Sequence, residues 1–449
     1  MGSCGVRKAR WLGAAAVCAA LAGSSALAGC SGGGNDALGS QGWSAPGLNV
    51  VSKAAVGGGF AAVTALRPDG TLETDTFDLA KGKRLWAKAA TMRGRTPDQG
   101  VQPPAVSGGM VAAVEPRGGD AVLVARDART GTLKWARDVR TTFGPQACGP
   151  MVCLAERTAD TDARFVALDP SAEGKELWRM DGVAEVEWAD ASRVVVFRMA
   201  KHPSLEQRDL RTGRTLWTYP VEDAVGNGVN LSGGWAFGSL GDTLVGYLGP
   251  HQAARGRPLT AFGFFAIRLA DGGLAWTRPR RLRVYPSASP AVALIARQVT
   301  AAGGYGAFEQ IDPRTGRTAA TLPADRAPRS SWWLSLPSDL AQVGFLSPDR
   351  PGRAVSLRNA APVPARGLRT WSFCTVTPST LKITGRPGFY PVAPLCAYDL
   401  GTGRRVDDPG APPGWYTGAS DGWRVWRDES GTLHALHDAR GTAPGMYGS

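Results

Sequence analysis

The chain has 449 residues, and glycine (59), proline (32) and tryptophan (15) are all abundant. Many turn-forming residues combined with many large rings argue against a helical protein and favour an all-β fold. The formal net charge is +13, but the lysines and arginines are scattered and form no basic tail. This pattern favours a surface that keeps the protein soluble over one that binds anionic polymers or phospholipid headgroups. No nucleic-acid partner is predicted.

The N-terminal segment has the layout of a secretory targeting signal. Basic residues at positions 7–10 precede an uncharged apolar stretch over residues 11–27, which is short for a membrane span. The tetrad Leu-Ala-Gly-Cys that ends at Cys30 resembles the lipobox of bacterial lipoproteins. The resemblance implies a signal peptide over residues 1–29 and acylation of Cys30, with palmitate among the acyl chains. An ordinary cleavable signal with an incidental cysteine is the alternative.

A glycine- and serine-rich stretch follows Cys30. Such a sequence buries too little apolar surface to order itself, so residues 30–44 are predicted to be the lipidated cysteine and a flexible tether. Two acyl chains are enough for stable attachment to a bilayer. No later stretch is long and apolar enough to span a membrane. The protein is therefore predicted to be anchored by lipid on the extracytoplasmic face of the cell membrane.

Four cysteines remain in the predicted mature body. Cys148 and Cys153 flank a Gly-Pro turn, which predicts a disulfide bond between them and leaves Cys374 to pair with Cys396. Other pairings and free buried thiols are the alternatives. A metal site is disfavoured because no CxxC spacing is present, and no metal ligand is predicted.

One pattern recurs along the body: an alternating apolar strand, an Asp, a short turn that ends in Gly, and a second strand that often carries Trp. The copies with Trp span residues 77–86, 126–135, 168–178, 208–217 and 268–276, and those without Trp span residues 311–317, 398–404 and 437–441. The Asp accepts backbone N–H groups of the turn, and the Gly takes the positive φ that such a hairpin needs. The Trp is large enough to fill the gap between neighbouring sheets.

These segments resemble the PQQ-like repeat, and residues 127–135 and 166–169 fit its pattern best. The resemblance covers about residues 45–441 and implies a β-propeller of four-stranded blades over residues 45–449. The spacing of the turn glycines, mostly about 40 to 50 residues, is that of one blade for each repeat. Eight blades are predicted, with seven or nine as alternatives.

Closure of the propeller is predicted from the two ends of the body. The segments Trp423–Arg427 and Thr432–His437 provide two strands, after which the repeats end. A spare apolar strand, Leu48–Lys53, is available at the other end. We expect it to complete the terminal blade, because closure removes exposed sheet edges.

The sequence lacks the motifs of the enzyme classes to which it could belong. Quinone-dependent dehydrogenases with this repeat type carry adjacent cysteines beside the cofactor, and this chain has no such pair. No G-x-S-x-G elbow is present, so a Ser-His-Asp arrangement has no sequence anchor. His434 and His437 are three apart, which in a strand places them on opposite sides. No cofactor is therefore predicted, and the protein is predicted not to be an enzyme.

These features together predict a membrane-anchored scaffold outside the cytoplasm. The bilayer is one partner, through the acyl chains on Cys30, and an unidentified envelope protein or polymer is the other. The protein is predicted to be a monomer. A PQQ-dependent dehydrogenase or other propeller enzyme is one alternative, and a sensor module for a small ligand is another.

Overall fold

Antiparallel strands form almost all of the regular structure in this computed structural model. The structure describes residues 41–94, 100–157, 163–283, 294–300, 303–323, 332–335, 342–347, 350–356, 359–374, 382–384, 391, 394–407, 412 and 418–437. The predicted signal peptide, Cys30 and most of the repeat copy at 437–441 lie outside the described residues. No helix among the described residues is long and apolar enough to cross a membrane.

The strands form nine sheets in the described part of the chain, eight of them four-stranded and one two-stranded. Seven four-stranded sheets use consecutive strands, which pair in chain order. Sheets 1 to 4 contain β2 (Ala55–Gly57), β3 (Phe60–Leu66), β4 (Leu72–Asp78) and β5 (Lys83–Ala90); β6 (Ala105–Ser107), β7 (Met110–Arg117), β8 (Asp120–Asp127) and β9 (Leu133–Asp138); β10 (Arg140–Cys148), β11 (Met151–Arg157), β12 (Ala163–Asp169) and β13 (Lys175–Asp181); and β14 (Val183–Ala189), β15 (Arg193–Met199), β16 (Ser204–Asp209) and β17 (Thr215–Pro220).

The remaining sheets follow the same order. Sheets 5 to 9 contain β18 (Trp235–Leu240), β19 (Thr243–Leu248), β20 (Gly263–Arg268) and β21 (Leu274–Pro279); β22 (Arg281–Arg283), β23 (Leu294–Val299), β24 (Tyr305–Ile311) and β25 (Thr318–Leu322); β26 (Trp332–Ser335), β27 (Gln342–Ser347), β28 (Arg350–Ser356) and β29 (Pro362–Val363); β30 (Arg369–Phe373) and β31 (Leu395–Asp399); and β32 (Gly418–Ser420), β33 (Trp423–Arg427), β34 (Leu433–His437) and β1 (Gln41–Ala45). A short α-helix, α1 (Glu222–Val225), and a 3₁₀ turn (Leu231–Gly233) lie between β17 and β18.

The first strands of successive sheets contact one another, as β2 does β6, β6 does β10, β10 does β14 and β14 does β18. In sheet 9 the first strand, β32, contacts β2 of sheet 1. The sheets are therefore arranged radially, with their first strands around the axis, and the chain ends meet. The predicted β-propeller is confirmed, while the number of blades stays a prediction.

The N-terminal strand closes the ring, as predicted, but it is a different strand from the one expected. β1 pairs antiparallel with β34, with Gln41 opposite His437 and Ala45 opposite Leu433. The segment Leu48–Lys53 was predicted to fill this place, and that prediction is wrong. Four of the five residues of β1 lie in the stretch assigned to the tether, and within 48–53 the structure shows a single isolated bridge, from Val50 to Ala65.

β1 carries a tryptophan, Trp43, that packs in the same way as the tryptophans of five other outer strands. In sheet after sheet, a Trp on the outer strand lies over the turn glycine of the next sheet. The pairs are Trp43 over Gly82, Trp86 over Gly131, Trp135 over Gly174, Trp178 over Gly213, Trp217 over Gly272 and Trp276 over Gly316. A Cβ on any of these glycines would lie 2.5 to 2.8 Å from an indole atom. Each indole Nε1 donates to a carbonyl of that next sheet at 2.7 to 3.2 Å.

The apolar core lies between neighbouring sheets. At the closure, Val50, Phe77, Trp423 and Leu433 belong to one buried cluster that joins sheets 1 and 9. The turns between third and fourth strands have the predicted geometry. The carboxylate of Asp127, for example, accepts the backbone N–H groups of residues 129 and 130.

Both cysteine pairs form disulfide bonds in the structure. Cys148–Cys153 joins β10 to β11, and Cys374–Cys396 joins the residue after β30 to β31. Each bond therefore crosslinks adjacent strands of one sheet.

Candidate functional site

Two carboxylates on β14 lie close to two cations from other sheets. Ala184 and Val186 are buried in the core, and Glu185 and Glu187 alternate with them along the strand. A bulge between Val186 and Trp188 leaves Glu187 without a partner in the ladder. Because bulges re-aim side chains, this irregularity helps to place the second carboxylate. Since β14 is a first strand, the carboxylates lie near the axis of the propeller.

Hydrogen bonds hold Glu185 between three first strands. Its carboxylate accepts the indole N–H of Trp235 on β18 at 3.1 Å and the amide of Gln146 on β10 at 3.5 Å. The amide oxygen of Gln146 in turn accepts the backbone N–H of Val186 at 3.0 Å. Glu185 is thus fixed in position, whereas Oε1 of Glu187 is buried and accepts no hydrogen bond from the described residues.

The cations are Lys53, just before β2, and Arg283, at the end of β22. Burial lowers the pKa of Lys53 to about 8, although Glu185 and Glu187 oppose the shift. Burial raises the pKa of Glu187 well above its usual value, and the charge of Glu185 raises it further. Arg283 is 8% exposed, and its guanidinium lies 5.3 Å from the ring centroid of Tyr247. We call Lys53, Glu185, Glu187 and Arg283 the axial cluster.

Burial disfavours the charged forms of the axial cluster, so the pKa of Lys53 is lowered and the pKa values of both glutamates are raised. It does not fit a divalent cation, since Lys53 already supplies positive charge beside both carboxylates. One other group of potential ligands occurs among the described residues: Cys374, Cys396 and Glu429. Its two sulfur atoms form a disulfide bond and therefore offer no thiolate to a metal.

Two long connections form a second feature, at one end of the propeller. Residues 221–234 link β17 to β18, and residues 249–262 link β19 to β20. Because β18 and β19 are antiparallel, both connections lie at the same end, which we call the loop face. An isolated bridge joins Val229 to Ala261, and the backbone N–H of Gly249 donates to Gly234 at 2.8 Å.

The structure separates the two histidines that could have suggested a metal pair. His434 stacks on Trp426, with ring centroids 5.5 Å apart, whereas His437 packs against Trp423 at 5.1 Å. His434 instead joins a hydrogen-bonded chain that the sequence did not indicate. Its Nδ1 lies 2.8 Å from Oγ of Ser44 on β1, and its Nε2 lies 3.0 Å from a carboxylate oxygen of Asp428. These hydrogen bonds link β1 to β34 and to the turn before β34.

The repeated sheets and their tryptophan register define a β-propeller of PQQ-like repeats. A family model described as "Outer membrane protein assembly factor BamB" matches residues 35–157 and 68–233, which together are less than half of the chain. No curated protein matches the sequence. BamB from Moraxella catarrhalis is a similar solved structure, with 12% identity, a TM-score of 0.46, and coverage of 88% of this chain and 98% of that one.

Other similar structures are enzymes. A europium-containing methanol dehydrogenase has 12% identity and a TM-score of 0.40, covering 72% of this chain and 79% of that one. The quinohemoprotein alcohol dehydrogenase ADHIIG from Pseudomonas putida HK5 has 15% identity and a TM-score of 0.38, covering 85% and 78%. The prediction that the protein is not an enzyme is wrong, because dehydrogenases are among the structures similar to this chain.

Proposed function

We propose that the protein is a protein-binding scaffold of the bacterial cell envelope. The match of residues 35–233 to the BamB family model carries this proposal, since the name of that family denotes assembly of outer-membrane proteins. A closed ring of sheets supports it, because such a ring is a rigid platform on which loops can vary. Two disulfide bonds also suit an oxidising compartment outside the cytoplasm.

Acylation of Cys30 is the second part of the proposal. The lipobox-like tetrad, its basic and apolar flanks and the glycine-rich stretch behind it all support a lipid anchor. The anchor would hold the propeller at the membrane surface through two acyl chains.

The loop face is the proposed binding surface for the partner protein. Its connections are the long ones of the described sheets 4 and 5, and they brace each other through the bridge between Val229 and Ala261. Thr277 also donates to the carbonyl of Ala224 at 2.6 Å, which ties α1 to β21. Arg255 and Arg257 are exposed at the tip of the second connection. The loop face is therefore held in place by contacts with the sheets and is accessible to a partner.

Site-specific photocrosslinking in intact cells tests this proposal. A benzoylphenylalanine in place of Arg255 reports on the loop face, and the same residue in place of Arg211 reports on the opposite end of the propeller. Both arginines are exposed, so the pair is matched in residue type and accessibility. We expect a discrete envelope-protein adduct at position 255 and little at 211. Adducts of equal yield at both positions, or none at either, would contradict the proposal.

A further inference from the structure

The turns between third and fourth strands all lie at the end of the propeller opposite the loop face. This placement follows from the antiparallel order of every four-stranded sheet: a connection from the third to the fourth strand and one from the second to the third lie at opposite ends. We call this end the repeat-turn face. In sheets 1 to 6 each of these turns is a copy of the sequence repeat, so one repeat position appears in six successive sheets.

Eight basic side chains at these turns are exposed. They are Lys81, Lys83, Arg129, Lys175, Arg211, Arg214, Arg314 and Arg317. In the sequence they occur in small groups separated by about 40 to 100 residues, whereas the fold gathers them on one face. We call these side chains the basic ring. Among the described residues, one ion pair involves a member of the basic ring: Arg129 with Asp78, at 4.0 Å.

The acidic residues of the same turns are arranged differently. The aspartate that opens each turn folds back onto the backbone, as Asp209 does when it accepts the N–H groups of residues 211 and 212. These hydrogen bonds lower the pKa of Asp209 and hold its carboxylate inside the turn. Asp271 is exposed but paired with Arg268 at 3.1 Å. Glu173 is exposed at a turn, and Asp242 and Asp421 are exposed at turns between first and second strands. The outermost charges of this face are therefore mainly positive.

The chain enters the propeller at this same face. Gln41, the first residue of β1, lies opposite His437, the last residue of β34. Two residues later, Trp43 donates to the carbonyl of Leu79 in a repeat turn of sheet 1 at 2.7 Å. Cys30 is eleven residues before Gln41. A stretch of that length spans at most about 40 Å.

We infer that the repeat-turn face rests on the anionic phospholipid headgroups of the membrane that holds the Cys30 anchor. The inference rests on the acylation in the proposed function. The short tether keeps this face within reach of the bilayer at high effective concentration. Each cation close to an anionic membrane then strengthens the contact about fivefold. With this face on the membrane, the loop face is directed away from it, towards a partner protein.

The test uses the full acylated protein in lipid vesicles. A fluorophore is attached to a cysteine in place of Ala172, at the repeat-turn face, or in place of Ala253, at the loop face; both positions are exposed. Vesicles contain a headgroup-labelled quencher and either neutral phosphatidylcholine alone or phosphatidylcholine with phosphatidylglycerol. We expect strong quenching at position 172 and little at 253 in the anionic vesicles, and a much smaller difference in the neutral ones.

Charge reversal supplies the matched control. One variant combines R211E, R214E, R314E and R317E, and the control combines R93E, K201E, R255E and R257E at the loop face. The two variants have the same net charge, so a general electrostatic effect changes both equally. We expect the first to lose the preferential quenching at position 172 and the second to keep it. Equal quenching at both positions in anionic vesicles, or equal effects of the two variants, overturns the inference.

Attachment itself is measured separately, by flotation of the protein with the vesicles. Loss of flotation in a Cys30→Ser variant supports the anchor, and unchanged flotation refutes the acylation on which the inference rests. The quenching pattern is read only from floated protein. A failed anchor and a wrongly assigned face therefore give different results.

Discussion

Replacing Gly82 by Ala should destabilise the protein through the closing strand. Gly82 has φ +64°, and an added Cβ would lie 2.6 Å from Cγ of Trp43. The left-handed backbone costs an alanine about 1 kcal/mol. Full truncation of a buried Trp costs roughly 3 to 5 kcal/mol. Because Trp43 is half-buried, displacing its indole should cost a further amount of about 2 kcal/mol. The free energy of unfolding should therefore fall by about 3 kcal/mol.

Gly58→Ala is the matched control. Gly58 has φ +55°, and an added Cβ would meet nothing within 4 Å. It therefore carries the backbone cost without the clash, and we expect a loss of about 1 kcal/mol. Urea unfolding at 25 °C, followed by tryptophan fluorescence and circular dichroism, measures both variants.

A double-mutant cycle isolates the contact. In a Trp43→Ala background, Gly82→Ala should cost no more than Gly58→Ala costs in the native protein, because the clashing ring is absent. Equal costs of Gly82→Ala and Gly58→Ala in the native background would refute the reasoning. Such a result would mean that Trp43 does not lie over the turn of sheet 1.

Three further predictions concern buried charges and a crosslink. Burial raises the pKa of Asp75 from 3.8 to about 6. The folded protein then binds more protons than the unfolded chain between these pH values, so stability should fall by about 2 kcal/mol as the pH rises from 4 to 6. Asp75→Asn should flatten that slope in urea titrations. Glu187→Gln removes a carboxylate that raises the pKa of Lys53, so NMR of labelled lysine should show that pKa below about 8, and an unchanged value would contradict the axial cluster. Replacing both Cys374 and Cys396, which are 22 residues apart, by Ser should cost about 3 kcal/mol in unfolding, and less than about 1 kcal/mol would argue against this pairing.

The sequence predicted the parts of the fold that repeat. Asp, Gly and Trp recur at fixed spacing because the same tight turn, covered by an indole of the neighbouring sheet, is formed in sheet after sheet. Trp135 and Trp178, assigned to packing on this basis, cover turn glycines as expected. The disulfide pairing could also be predicted, because Cys148 and Cys153 flank a tight turn. This pair leaves Cys374 and Cys396 to bond to each other.

The closing strand was missed although its signal was present. Gly39 precedes Trp43 by four residues, the same spacing as between Gly82 and Trp86. The glycine-rich surroundings resemble a linker, and an apolar strand at 48–53 appeared the better candidate. The register of a single Trp, rather than local hydrophobicity, decides which segment completes the sheet.

The axial cluster had no signal that sequence reasoning could use. Glu185 and Glu187 stand in an ordinary alternating strand, and Lys53 is more than 130 residues away. Only the radial arrangement of first strands brings the three together. The basic ring of the repeat-turn face is a similar case, because scattered cations become one surface only when each repeat contributes the same position.

Both functional proposals depend on β1 closing the ring, because this strand defines where the tether enters and which face lies opposite. Cysteines in place of Ser44 and His434, which are direct partners in the β1–β34 ladder, test that closure. We expect this pair to oxidise to a disulfide in the folded protein, detected by mass spectrometry of a non-reduced digest. Ser44→Cys with Leu436→Cys, a pair two residues out of register, should not form a disulfide. Crosslinking of the out-of-register pair, or of neither pair, would contradict the account.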